Sequence, residues 1–195
     1  MAVKKIVKYG TETLRQKSKD VHKVSKKIQI LIDDLLDTMY ATNGVGLAAP
    51  QIGENIRVFV IDTSTGKEAY RPIVFVNPRI VKRSGAMDSY EGCLSFPEAY
   101  TNVRRYSHVM IKALDRNGKP FVLEAEKSKD SLLVRAIQHE YDHLDGILFI
   151  DHSRNRFDAD KALAEKGLPP VDANYLLDEA ELEALILSSE EGENK

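Results

Sequence analysis

The sequence predicts an α+β protein with small, mostly antiparallel sheets packed around a central metal-binding helix. An N-terminal helix and a C-terminal helical tail complete it. Three observations lead there: an apolar stripe at helical spacing near the N-terminus, β-branched runs with a hairpin signal in the middle, and the stretch QHEYDHLDG (Gln138 to Gly146).

The first helix is expected from Ser25, a suitable N-cap, to about Ala41. Ile28, Leu31, Ile32, Leu35 and Met39 follow the helical period, and Asn43-Gly44 is a stop signal. The small-residue loop GVGLAAPQIG follows, and then IRVFVID reads as a buried strand. A second run, IVFVNPRIV, must end or bend at Pro78. HVMIKALD and KPFVLEAE flank Asn117-Gly118, a tight-turn hairpin. Leu132, Leu133, Ala136 and Ile137 carry a helix into the histidines, Gly146 caps it, and ILFI resembles a short strand. The tail is expected to hold a short helix, a breaker at GLPP and a last helix from about Asp178.

The chain has 195 residues, 43% hydrophobic and 30% charged, with a net charge of −2. That suits a folded domain with a substantial core. The near-neutral balance and scattered basic residues give no support to nucleic-acid binding. A single cysteine excludes an internal disulfide and fits a reducing compartment. MAVKKIVKYG lacks the apolar core of a signal peptide, and no apolar run reaches membrane-spanning length, so a cytoplasmic protein is expected.

On a helix His139 and His143 lie on one face and can converge on a cation, with Glu140 beside it. This is the H-E-x-x-H arrangement of zinc proteases, and the identity of the third ligand decides the chemistry. The H-x-x-G-x-x-H continuation fits Gly146 but meets Phe149 where its histidine belongs, and His152 comes three residues too late. Glu165 is placed for the other protease completion, yet its charged segment reads as a solvated surface. Cys93, in EGCLSFPEA, is read in three ways: a small buried residue, half of a Cys-His nucleophile, or the third ligand. Ligation leaves a fourth position open, and a thiolate admits ferrous iron as well as zinc.

Three segments resemble the signature motifs of the peptide deformylase family. GVGLAAPQ (Gly44–Gln51) is similar to its G-x-G-x-A-A-x-Q, EGCLS (Glu91–Ser95) to its cysteine motif, and QHEYDH (Gln138–His143) to its histidine motif. The resemblance covers roughly residues 3–155, implying a catalytic domain over 1–155 and a helical extension over 156–195 packed on or near it. It implies metal ligation by Cys93, His139 and His143, with Glu140 as general base. Gln51 and the Leu94 N–H become oxyanion donors; Val45, Gly46 and Glu91 line or order the substrate groove; and Arg105 matches an arginine near the bound peptide. One divalent metal per chain follows, ferrous iron in the cell, with zinc or nickel in purified protein.

The implied reaction removes formyl from the N-terminal formyl-methionine of new polypeptides and releases formate. Leu132, Ala136 and the stem of Arg135 precede His139 by one or two turns; they either line a methionine slot or, for the leucine, belong to the core. Arg135 either meets the peptide or pairs with an acid. An endopeptidase and a non-enzymatic peptide- or metal-binding domain are the competing classes. Ribosome proximity is expected to be transient, and the acidic tail DEAELEALILSSEEGENK departs from the basic C-terminal helix that some members use there. Leu176, Leu177, Leu182, Leu185 and Ile186 form a stripe for packing on the domain or for a dimer, so the chain is expected as a monomer or weak homodimer.

Overall fold

The computed structural model describes residues 2–64, 70–153, 155–172 and 174 of the chain. Helix α1 (Lys26–Ala41) starts where the apolar stripe starts, with Ser25 in extended conformation before it but making no side-chain cap. The loop after it holds more structure than expected: strand β1 (Gly46–Ala48) and a 3-10 turn over Ala49–Ile52. Strands β2 (Val58–Ile61) and β3 (Ile73–Ser84) follow. Pro78 bends β3 without ending it. Its pairing with the next sheet strand shifts register between Val76 and Arg79, while Asn77 (φ 50) holds Val21 by both side-chain atoms at 2.8 Å.

Strands β4 (Met87–Cys93) and β5 (Phe96–Arg105) form a separate two-stranded hairpin. Strands β6 (His108–Leu114) and β7 (Pro120–Glu126) make the expected hairpin across Asn117-Gly118. The main sheet has the order β1-β2-β3-β6-β7, and every strand pair in it is antiparallel. Helix α2 (Lys127–Leu144) carries the histidine motif, and α3 (Arg156–Ala164) follows it.

The sheet is buried on both faces at its β1–β2 end. In β2, Val58 and Val60 pack with Ile32, Leu35 and Met39 of α1, whereas Phe59 and Ile61 pack with Val134, Ile137 and Leu144 of α2. Strand alternation thus sends neighbouring side chains into two cores, which is why IRVFVID shows no polar alternation. A third cluster joins Leu14, Phe96, Val103 and Phe149 to Leu163 of α3 and to Val171. α3 therefore shares a core with the hairpin, and the expected helix from Asp178 and its apolar stripe lie outside the described residues.

ILFI is not a strand. α2 stops before Gly146 (φ 74), and Phe149–His152 forms a 3-10 turn. The Asp151 carboxylate accepts the Leu148 N–H at 2.7 Å, and Leu148, Phe149 and Ile150 fill the third core. A short apolar run satisfies a buried turn as well as a strand.

The regular part of α2 begins at Asp130, whose backbone is not helical (φ −153, ψ 91). Its Oδ1 accepts the N–H groups of Leu132 (3.1 Å) and Leu133 (2.9 Å), an N-cap that fixes where the histidine-bearing turns start. Asp130→Ala is expected to lower stability by about 1 kcal/mol in denaturant unfolding; an unchanged midpoint would show that the break at Asp130 caps nothing.

Candidate active site

The hairpin turn and α2 meet at one point. Ligand atoms of Cys93, His139 and His143 all lie within 4.8 Å of one another. Cys93 Sγ stands 3.3 Å from His143 Nε2, and the two imidazole centroids are 5.1 Å apart. His139 Nδ1 faces Glu91 Oε2 at 3.0 Å; a carboxylate there only accepts, so Nδ1 carries the proton and Nε2 is left to face the thiol. A soft sulfur, two ring nitrogens and a carboxylate orienting one ring fit a divalent cation such as zinc or ferrous iron.

Glu91 is itself clamped. It is buried, and the buried Arg105 donates to it from Nε (3.0 Å) and Nη2 (2.9 Å). Burial favours the neutral acid, but the Arg105 charge and the His139 hydrogen bond outweigh it and hold the carboxyl far below its usual range. Arg105 Nη1 also donates to Asp142 Oδ2, which lies 2.9 Å from His152 Nε2. Arg105 is thus behind the ligands and is not among the residues lining the cleft, although the motif match places it near the peptide. His152, the late candidate ligand, serves Asp142 instead, and Glu165 caps the end of α3.

Glu140 is buried with Oε2 unpartnered, and burial, opposed by the His139 charge and assisted by the Glu91 charge, pushes its carboxyl up to about 7. It crosses Gly46 so closely that a Cβ on that glycine would come within 2.6 Å of Oε1 and 2.9 Å of Cγ. Gln51 sits in the 3-10 turn after β1. The Ala48 N–H occupies its Oε1 at 2.8 Å, so its amide nitrogen points toward Cys93 Sγ and Ser95 Oγ, each at 3.4 Å.

These groups open on a cleft of about 540 Å³. Val45, Gly46, Gln51, Glu91, Leu94, Leu132, Arg135 and Ala136 all line it, with Cys93, His139 and Glu140 at its base. Arg135 reaches Ser89 Oγ (3.3 Å) and the Tyr90 carbonyl (3.4 Å), so it braces the hairpin, and among the described residues it pairs with no acid. The sequence reading missed Asp142, which sits inside the histidine motif, and Tyr90, Tyr100 and Lys8 on the cleft walls. Lys8 Nζ donates to the Leu94 carbonyl at 2.9 Å. Nothing local in the sequence marks either tyrosine or Lys8 as part of the cleft.

A thiol, two imidazoles and a buried carboxyl gathered in a cleft on an α+β scaffold define a metal-dependent hydrolase. The sequence profile described as polypeptide deformylase matches residues 3–158. Peptide deformylase 1 of Clostridium perfringens is 47% identical over 152 residues, covering 78% of this chain and 99% of that protein. Peptide deformylase 1 of Bacillus subtilis is 44% identical over 167 residues, 86% of this chain and 100% of the other. Among solved structures, a peptide deformylase from Synechococcus elongatus in complex with actinonin superposes with a TM-score of 0.81 at 38% identity, covering 89% of this chain and 91% of that one. The Legionella pneumophila peptide deformylase gives 0.74 at 43% identity, with 87% and 100% covered. The chain belongs to the polypeptide deformylase family: it is an enzyme that removes formyl from the N-terminal formyl-methionine of new polypeptides.

Two substitutions test the geometry. Arg105→Met leaves Glu91 and Asp142 buried without their cation and is expected to cost about 3–5 kcal/mol in unfolding of the metal-free protein; a loss under about 1 kcal/mol would refute the clamp. Gly46→Ala displaces the Glu140 carboxyl, so kcat is expected to fall at least about tenfold, the order of effect seen when a catalytic group is misplaced by an ångström or less. Thermal stability read alongside separates this from unfolding.

Proposed function

We propose that Glu140 is the general base, that Cys93, His139 and His143 hold one divalent metal, and that Gln51 and the Leu94 N–H receive the oxyanion. The observation that carries this is the convergence of the three ligand atoms beside a buried carboxyl in the cleft. A divalent cation at these donors supplies Lewis acidity and makes water a nucleophile at neutral pH.

Glu140 takes the proton of the attacking water and passes it to the departing amine, which must leave protonated. Its burial and raised pKa suit a carboxyl that accepts a proton and then returns it. The Gln51 amide donates to the oxyanion without titrating, and the Ala48 bond keeps it aimed before substrate arrives, so little reorganisation is needed in the transition state. Because the thiolate brings its own negative charge, water is acidified less than at an all-histidine site, which gives Glu140 the larger share of proton acceptance.

Val45 and Gly46 lie at the outer edge of the sheet, since β1 is an edge strand, and an extended peptide pairs with that edge. Leu132, Ala136 and the Arg135 stem form the methionine slot. Glu91 and Arg105 act as positioning residues for His139 and α2.

Ferrous iron is the metal in the cell on this reading, with zinc or nickel taken up in purified protein; the single soft thiolate among nitrogen ligands is compatible with each. The enzyme works in the cytoplasm, where its lone cysteine stays reduced, near the ribosome only transiently, and as a monomer or weak homodimer. Among the described residues no helix is long and apolar enough to cross a membrane.

Formate release from a formyl-Met tripeptide tests the assignment, with protein reconstituted anaerobically with iron, zinc or nickel. Glu140→Gln is expected to retain metal and lose at least about 100-fold in kcat, the lower range for loss of a general base. Turnover within tenfold of the parent enzyme would remove Glu140 from that role, and cleavage of unformylated peptides at internal bonds would return the protease reading.

A further inference from the structure

Tyr90 and Tyr100 wall the catalytic cleft, and the same two residues wall a second hollow of about 570 Å³. Its other walls are Asp88, Thr101, Asn102, Ser153, Asn155 and Asp158, contributed by β4, β5, the connection before α3 and the first turn of α3. The tyrosines are therefore a shared rim between an active cleft and a polar chamber of similar size.

The rim is built for contact. The two rings stack with centroids 5.8 Å apart and planes 18° apart, yet the residues remain 63% and 51% exposed. Tyr100 stands opposite Gly92 in the hairpin register, and its ring lies where a Cβ on Gly92 would be. The aromatic surface thus reaches along the hairpin to the residue before Cys93. From Cys93 back to Asp88 is five residues of β4, about 17 Å at about 3.3 Å per residue.

An extended peptide anchored at the metal site covers that distance with about five of its own residues. We propose that the cleft and the polar chamber form one continuous groove for the substrate chain, a reading that rests on the deformylase assignment. The tyrosine pair takes the third and fourth residues of the polypeptide, and the chamber takes the fifth and sixth. Within the chamber, exposed Asp158 favours a basic side chain over an acidic one, while the amides of Asn102 and Asn155 supply hydrogen bonds without selecting a charge. Asp88 is engaged by Arg104 at 2.8 Å, so Asp158 is the carboxylate assigned to that preference.

The test compares kcat/KM for formyl-Met peptides of three residues and of six, the latter with lysine or glutamate at position five. With the metal-loaded enzyme, the six-residue lysine peptide is expected to exceed the tripeptide by about five- to tenfold, the return from one aromatic contact and one charge contact. Tyr100→Ala is expected to lose most of that gain. Asp158→Asn, a surface change outside the catalytic cleft, is expected to leave tripeptide turnover unchanged and to narrow the preference for lysine. Calorimetric binding of the same peptides to the Glu140→Gln variant should reproduce the gain without turnover.

Equal kcat/KM for the short and long peptides, with normal tripeptide turnover, would overturn the groove and leave the deformylase assignment standing. A full length gain retained in Tyr100→Ala would equally overturn it. Failure to turn over any formyl peptide would withdraw both.

Discussion

The site depends on one buried cation. Arg105 ends the hairpin and grips Glu91, two residues before Cys93, with one edge of its guanidinium. With the other it reaches Asp142, one residue before His143 on α2. The thiol and the imidazoles belong to different elements, the hairpin and α2, whose relative placement no shared backbone hydrogen bond fixes. A planar fork between two carboxylates constrains angle as well as distance, and Arg135 on Tyr90 and Gln138 on the Tyr106 backbone add to it from α2. Such a buried network seldom adds net stability over an apolar equivalent. What it supplies here is register between two elements, so that three ligand atoms meet within a few ångströms.

The same clamp explains the protonation pattern. With Arg105 behind it, Glu91 stays ionised in a dry environment and can orient His139 as an acceptor. Glu140 has no such cation bonded to it, so burial governs and its carboxyl rises to about 7. Two glutamates in one site are thus driven apart, one held ionised against His139 and one pushed toward neutrality, the separation that the proposed acid-base assignment needs. The histidines, the glutamates and the arginine form one electrostatic unit, and a change in any member alters the environment of the rest.

Legibility in the sequence followed the range of the interactions. His139, Glu140 and His143 stood out because a helix places residues four apart on one face, a local rule. α1, β2, β3 and the β6–β7 hairpin were legible for the same reason. Cys93 was not assignable from its own surroundings; only the resemblance of three motifs placed it with the histidines. The β4–β5 hairpin escaped because two of its inward positions, Ser89 and Glu91, are polar and serve Arg135 and the clamp, so alternation of polarity was hidden. The clamp made by Arg105 was not legible because its partners lie 14 and 37 residues away in sequence. ILFI failed because a four-residue apolar run records burial but not conformation.

Placing the substrate edge at β1 carries a hazard that its construction answers. An edge strand offers unpaired backbone groups to any chain that meets it. β1 is only three residues long, Gly46–Ala48, and is followed at once by the 3-10 turn that carries Gln51. Its pairing surface is therefore a poor template for another protein's strand, while the proposed peptide needs only its first residues registered there. Gly46 adds a second restriction, since the space a side chain would take there is filled by Glu140. The β1 backbone and the Glu140 carboxyl occupy adjoining space, so on the proposed reading a peptide aligned on this edge also comes within reach of the base.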